Sequence, residues 1–233
     1  MIINHSKKFK VNLYFISGLG ADERVFQRLT LPEQCKIIHI KWPELSINET
    51  LDSYCHKISE MIDTSQEFSL IGLSFGGIVA TEISKFLKPK TTIIISSIST
   101  RYELPFHYKI CRMLGLNKLV PAFAMNKVYP FTYWYFGITE QADKKLLKQV
   151  IKDTSPKFLK WAINEILNWK NEIRPDNLFH IHGTNDKLFP FILTKADKAV
   201  VNGGHLMVYT NANIVSDLIV AHLGFEYIKI KNT

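Results

Sequence analysis

Apolar residues recur along this chain in two alternating spacings. Short runs rich in β-branched and aromatic residues predict strands at Lys10 to Ser17, Cys35 to Ile40, Phe68 to Leu73, Thr91 to Ser96, Leu178 to His182 and Ala199 to Val201. Between them the spacing changes to that of a helix. Val25, Phe26 and Leu29 share one face of a predicted short helix from Asp22 to Leu29, and Leu51, Tyr54, Cys55, Ile58, Met61 and Ile62 keep a 3.6-residue period. Ser46 and Glu49 stand in capping-box spacing ahead of that second helix. Ile78, Val79, Ile83, Phe86 and Leu87 predict a third, stopped at Lys88-Pro89, and Asn211 to Leu223 a closing one with Gly224 as C-cap.

The alternation breaks once. From Arg101 to Asn177 no convincing strand occurs, whereas helical patterns fall around Tyr108 to Leu114, around Glu140 to Lys152 and from Ser155 through Lys170, where Ser155 can cap and Pro156 suits the first helical position. Strands alternating with helices predict an α/β fold, a doubly wound and mostly parallel sheet. Residues 1–100 and 178–233 would form its core and 101–177 a helical insertion. In such sheets functional groups collect at the carboxyl ends of the strands.

Four of those ends carry candidate chemistry. Gly72-Leu73-Ser74-Phe75-Gly76-Gly77 places a serine between small residues at a strand-to-helix junction, the pattern of a nucleophile elbow. A serine on so sharp a turn has unfavourable backbone angles and close neighbouring chains, which glycines on either side accommodate. Serine is a poor nucleophile until a base takes its proton, and histidine has the pKa for that work. Among eight histidines, only His205, in Asn202-Gly203-Gly204-His205, lies in a glycine-bearing loop at a strand end. Asp186, in Gly183-Thr184-Asn185-Asp186, is the candidate carboxylate to orient it, although Asn-Asp is also good turn chemistry. The rival acid position after the fourth strand holds Ser96, Ser97 and Ser99 instead. The backbone N–H groups of Phe75 and of Leu19, in the Gly18-Leu19-Gly20 loop, are the best-placed oxyanion donors. His180 and His182 alternate along a predicted strand and read as packed or edge residues; a metal reading fails for want of third and fourth ligands at usual spacing.

Composition narrows the partners. At 233 residues with 46% hydrophobic, the chain can bury one sizeable core. The net charge of +8 comes from scattered lysines with no nucleic-acid motif, so a solvated basic surface is expected rather than a polyanion partner. No stretch reaches the ~20 apolar residues of a membrane span. Met1 to Lys10 is polar and the apolar run after it is too short for a signal sequence. Three separated cysteines suggest neither disulfides nor a metal cage, and the expectation is a cytoplasmic protein of undetermined oligomeric state.

On these motifs the chain resembles the α/β-hydrolase superfamily with a helical cap. The nucleophile pattern is met by Gly72 to Gly77, the acid loop by His182-Gly183-Thr184-Asn185-Asp186 with Pro190 following, and the histidine loop by Gly203-Gly204-His205, in the order Ser, Asp, His. The family's oxyanion loop usually begins His-Gly, where this chain has Ser17-Gly18. Little chain precedes Lys10, so a sheet without the two leading antiparallel strands of many members is expected. The resemblance implies no cofactor and a small-molecule acyl substrate. The implied activity is hydrolysis of a small or medium carboxylic ester or thioester through an acyl-enzyme. Acyl transfer or C–C cleavage at the same site, or a ligand-binding member that turns nothing over, are the alternatives. Within the insertion, thirteen Lys and Arg stand against seven Asp and Glu, beside the cluster Phe131, Tyr133, Trp134, Tyr135 and Phe136. Those aromatics either pack the insertion onto the sheet or line an acyl pocket, with Trp134, Tyr135 and Phe136 as candidates for substrate contact and Arg101, Lys109 and Arg112 as candidates for attracting an anionic substrate.

Overall fold

A computed structural model describes residues 11–115, 121 and 125–225; Met1 to Lys10, including the residue at which the first strand was expected to begin, lies outside them. Six strands, β1 (Val11–Ile16), β2 (Cys35–Ile40), β3 (Phe68–Leu73), β4 (Thr92–Ile95), β5 (Leu178–Gly183) and β6 (Lys198–Val200), form one open sheet in the order β2-β1-β3-β4-β5-β6. Every pairing is parallel. The expected doubly wound sheet is therefore present, and among the described residues it contains no antiparallel strand.

Both faces of the sheet are covered, and the pleat decides which residue goes where. Along β1, Tyr14 and Ile16 join one core with Tyr54, Cys55 and Ile58 of α1 (Leu51–Ser59) and Ile78, Val79 and Ile83 of α2 (Phe75–Ile83). Leu13 and Phe15 join the other, with Val25 and Phe26. Between β4 and β5 the described residues form α3 (Phe106–Met113), α4 (Pro130–Phe136), α5 (Gln141–Asp153) and α6 (Pro156–Asn168). The chain ends in α7 (Met207–Thr210) and α8 (Ala212–His222).

Several expectations are corrected in detail. Glu23–Phe26 is a single 3-10 turn rather than a helix to Leu29, because Asp22 caps Arg24 and the following N–H groups bond three residues back. The capping box of α1 is Thr50 with Ser53, not Ser46 with Glu49; the Glu49 carboxylate instead accepts from the Ser46 N–H ahead of the helix. Both α1 and α2 end in tighter i+3 turns before the positions expected, so Met61 is 45% exposed while Ile62 stays buried. Pro156 does open α6, but the Ser155 side chain makes no cap bond. The closing helix runs as expected, from the Asn211 N-cap through Ala212–His222, and α4 and α7 are additional helices not foreseen.

Candidate active site

The strand order turns at β1 and β3: from β1 the chain goes to β2 on one side, and from β3 to β4 on the other. Connections leaving two such neighbours diverge to opposite faces and leave a crevice beyond their carboxyl ends. Gly18-Leu19-Gly20 leaves β1 at this point, and Ser74 leaves β3.

Ser74 has φ 52° and ψ −119°, a conformation that side-chain-bearing residues rarely adopt. Its neighbours hold it there. The Ser74 N–H donates to the Ile95 carbonyl at 2.9 Å, and Ser97 Oγ donates to the Ser74 carbonyl at 2.7 Å. A Cβ on Gly72 would lie 2.3 Å from the Gly76 carbonyl oxygen, and one on Gly76 would lie 2.2 Å from that of Ser17, so both positions exclude any side chain. The strained turn starts α2 immediately after Ser74, whose carbonyl accepts from the Gly77 N–H at 2.9 Å while its hydroxyl makes no cap bond.

From that hydroxyl a line of hydrogen bonds runs into the protein. Ser74 Oγ lies 2.8 Å from His205 Nε2, and His205 Nδ1 lies 2.8 Å from Asp186 Oδ2. Because the carboxylate only accepts, the network assigns the proton to Nδ1 and leaves the Nε2 lone pair facing Ser74. Asp186 Oδ1 is engaged separately, by the Leu188 and Phe189 N–H groups at 2.9 and 3.0 Å. Burial pushes the Asp186 carboxyl up, but the facing His205 and the hydrogen bonds from His182 and His205 outweigh it and hold the group well below the usual carboxylate range. Asp186 is thus an anion at any pH where His205 could act as a base.

The His205 ring is 3% exposed and meets Phe136 and Phe189 edge to face, with centroids 5.3 and 5.7 Å away. Phe136 ends α4, and the insertion touches the histidine loop there: the Phe136 carbonyl accepts from the Leu206 N–H at 3.2 Å, and a Cβ on Gly137 would sit 2.8 Å from the Gly204 Cα. Among the described residues no backbone carbonyl accepts from the N–H of Leu19 or of Phe75. Gly18 packs against Ser74, so Leu19 borders the same crevice.

A cavity of about 590 Å³ opens from Ser74 and His205 toward the insertion. Leu147 and Ile151 of α5, Leu159, Ile163, Ile166 and Leu167 of α6, and Leu73 and Val25 of the sheet side make it almost wholly apolar. Of the three aromatics expected at the substrate, Phe136 lines this cavity. Trp134 and Tyr135 do not line it: Trp134 is 60% exposed with Lys187 Nζ 4.7 Å over its ring. For Trp134 the reason is helical phase, since Thr132 and Phe136, four residues apart, point inward together while Trp134 faces away. Arg101, Lys109 and Arg112 do not line it either, and Arg101 pairs with Glu172 at 3.1 Å. Among the described residues no group of three or more His, Cys, Asp or Glu is arranged to hold a metal ion, and no helix is long and apolar enough to cross a membrane. Sequence reasoning gave Phe189 and Tyr108 no place in the site, and it quoted His182 in the acid loop but read it only as a strand residue; its four-residue spacing from Asp186 was the signal for more.

The chain has the α/β-hydrolase fold. MenH from S. aureus is similar at a TM-score of 0.70 and 16% identity, over 95% of this chain and 95% of that one. A lipase-esterase related protein from Clostridium acetobutylicum is similar at a TM-score of 0.65 and 15% identity, over 93% of this chain and 96% of that one. A thermophilic esterase from Thermogutta terrifontis is similar at a TM-score of 0.62 and 13% identity, over 92% and 89%. No protein-family profile and no curated protein matches the sequence.

Proposed function

We propose that the chain is a serine hydrolase that cleaves a carboxylic ester or thioester with a small or medium apolar acyl group. The observation that carries this reading is the unbroken line Ser74 Oγ, His205, Asp186 opening directly into an apolar cavity. Ser74 Oγ attacks the substrate carbonyl carbon while its proton passes to His205 Nε2. Asp186 stabilises the imidazolium and keeps its Nδ1–H pointed inward. The negative charge developing on the carbonyl oxygen is met by the N–H groups of Phe75 and Leu19. His205 then gives its proton to the departing alcohol or thiol, and a water, deprotonated by the same nitrogen, releases the acid from Ser74. Residues 101–177 act as a cap whose apolar walls hold the acyl group and keep bulk water from it.

Fluorophosphonate labelling followed by mass mapping tests the reading. Ser74 takes the label, and Ser74→Ala loses both label and turnover, with kcat falling by on the order of 10⁶ in a folded protein. A Ser74→Ala protein that keeps more than a tenth of the parent rate on the best ester would refute the reading.

A further inference from the structure

Behind the proposed triad lies a second pair of histidines, both wholly buried on β5. His182 Nε2 is 2.7 Å from the Phe189 carbonyl and 3.3 Å from Asp186 Oδ2, while His182 Nδ1 is 2.9 Å from His180 Nε2. A carbonyl only accepts, so Nε2 of His182 carries hydrogen and donates to Phe189, while the Asp186 oxygen that also faces His205 lies 3.3 Å from the same nitrogen. In neutral His182 the lone pair is then on Nδ1 and accepts from His180 Nε2–H. Burial, and then the neighbouring His182, hold the His180 pKa well below its ordinary range, so His180 stays neutral and serves as that donor. Its own Nδ1 is a buried nitrogen with no hydrogen-bond partner among the described residues.

We propose, building on the hydrolase reading, that His182 is a positioning residue: its Nε2–H aims Asp186 Oδ2 at His205 and takes up part of the carboxylate's charge, while His180 fixes the His182 tautomer. The oxygens of Asp186 make the division of labour plain. Oδ1 is pinned by two backbone N–H groups, so Oδ2 is the atom whose direction and charge His205 senses, and His182 Nε2 is the other side-chain nitrogen beside it, at 3.3 Å. The titratable and charged groups around this line are His180 and His182 on β5, His205 after β6 and Tyr108 from α3. Beyond them, Asp197 holds the His180 backbone N–H and is paired with Arg174. A neutral donor on Oδ2 weakens the pull of the carboxylate on the His205 proton. Removing it strengthens the hold of the carboxylate on the imidazolium, and the acid limb of the kcat/KM profile moves to higher pH.

Two substitutions of similar polarity separate this role from packing. In His182→Gln the side-chain amide nitrogen reaches the Nε2 position; in His182→Asn it reaches only the Nδ1 position, beside His180. His182→Asn is expected to lose about tenfold or more in kcat, the worth of one hydrogen bond to a charged group, with KM near that of the parent and the acid limb displaced upward. His182→Gln should keep both rate and profile. Parent-like rate and profile in His182→Asn overturn the proposal, as does an equal loss in both variants with an unmoved acid limb. Should His182→Asn fail to fold, ¹⁵N-histidine NMR of the parent decides: His182 should give the neutral Nε2–H pattern, and the Nδ1–H pattern overturns the assignment. Ser74→Ala run in parallel separates the two layers. A dead Ser74→Ala beside a parent-like His182→Asn overturns the positioning role alone, whereas an active Ser74→Ala overturns the hydrolase reading beneath it.

Discussion

His205 is confined on every side that matters: Asp186 fixes Nδ1, Ser74 meets Nε2, and the rings of Phe136 and Phe189 hold the plane between them. Such confinement makes the tautomer the sensitive quantity. In Asp186→Asn the amide can turn an N–H toward His205 Nδ1, which places the ring proton on Nε2 and blocks its use as a base. The expected loss in kcat is on the order of 10⁴. His205→Ala should approach the ~10⁶ of Ser74→Ala, and the double variant should be no worse than either alone, because base and nucleophile act as one unit. Additive losses in steady-state kcat across this set would break the triad assignment.

Among elements, one of the ties between the insertion and the core, at the start of α1, can be measured. The Glu49 carboxylate accepts from the Ser46 N–H, Ser53 Oγ and Lys57 Nζ at the start of α1. At the same place Trp161 Nε1 of α6 donates to the Glu49 carbonyl at 2.9 Å, and Glu165 of α6 accepts from the Leu51 N–H at 3.2 Å. Burial works against the Glu49 charge, but the bonds from Lys57, Ser53 and Ser46 outweigh it and lower the pKa from the ordinary 4.5 to about 2. A carboxyl whose pKa is lower folded than unfolded adds stability above its unfolded pKa and loses it as pH falls toward the folded one. Glu49→Gln should therefore cost about 1–2 kcal/mol near neutral pH, with the difference shrinking as pH falls from 4.5 toward 2. Urea unfolding of both proteins across that range checks it; a pH-independent difference would mean that packing, not charge, is at stake.

For the molecule as a whole, the apolar cavity and the basic surface make separate demands on a substrate. The chain carries a net charge of +8, yet the insertion's Arg101, Lys109 and Arg112 stand away from the cavity, and apart from Lys127 and a few polar groups its walls are aliphatic and aromatic. Neutral esters with longer acyl chains should be preferred. With p-nitrophenyl esters, kcat/KM should rise by up to about fourfold per added methylene, the transfer value of ~0.8 kcal/mol, until the roughly 590 Å³ is filled. Ile163→Phe, which thickens the cavity wall, should move the optimum to a shorter chain. A rate that falls steadily from acetate onward in the parent would remove the acyl-pocket assignment for this cavity.

Much of this arrangement was legible in the chain because it depends on local pattern. Runs of β-branched residues, helical periods and the glycines around Ser74 each report on a few neighbouring residues, and together they define a parallel sheet whose carboxyl ends carry Ser74, Asp186 and His205. Two glycines flanking a serine are readable because no other residue tolerates a backbone oxygen about 2 Å from its Cβ position. What only the tertiary structure decided are relations between distant segments. Trp134 and Phe136 are equally aromatic and two residues apart, and nothing but the rotation of α4 against the histidine loop sends one to solvent and the other to His205. His182 looked like a packed strand residue because its burial is all that an alternating pattern reports. Its bearing on Asp186 arises from the turn after β5, which folds the carboxylate back over the strand and brings Oδ2 to 3.3 Å from its ring nitrogen. Periodicity sets which side of an element is buried; the direction of a single polar atom is set by everything packed around it.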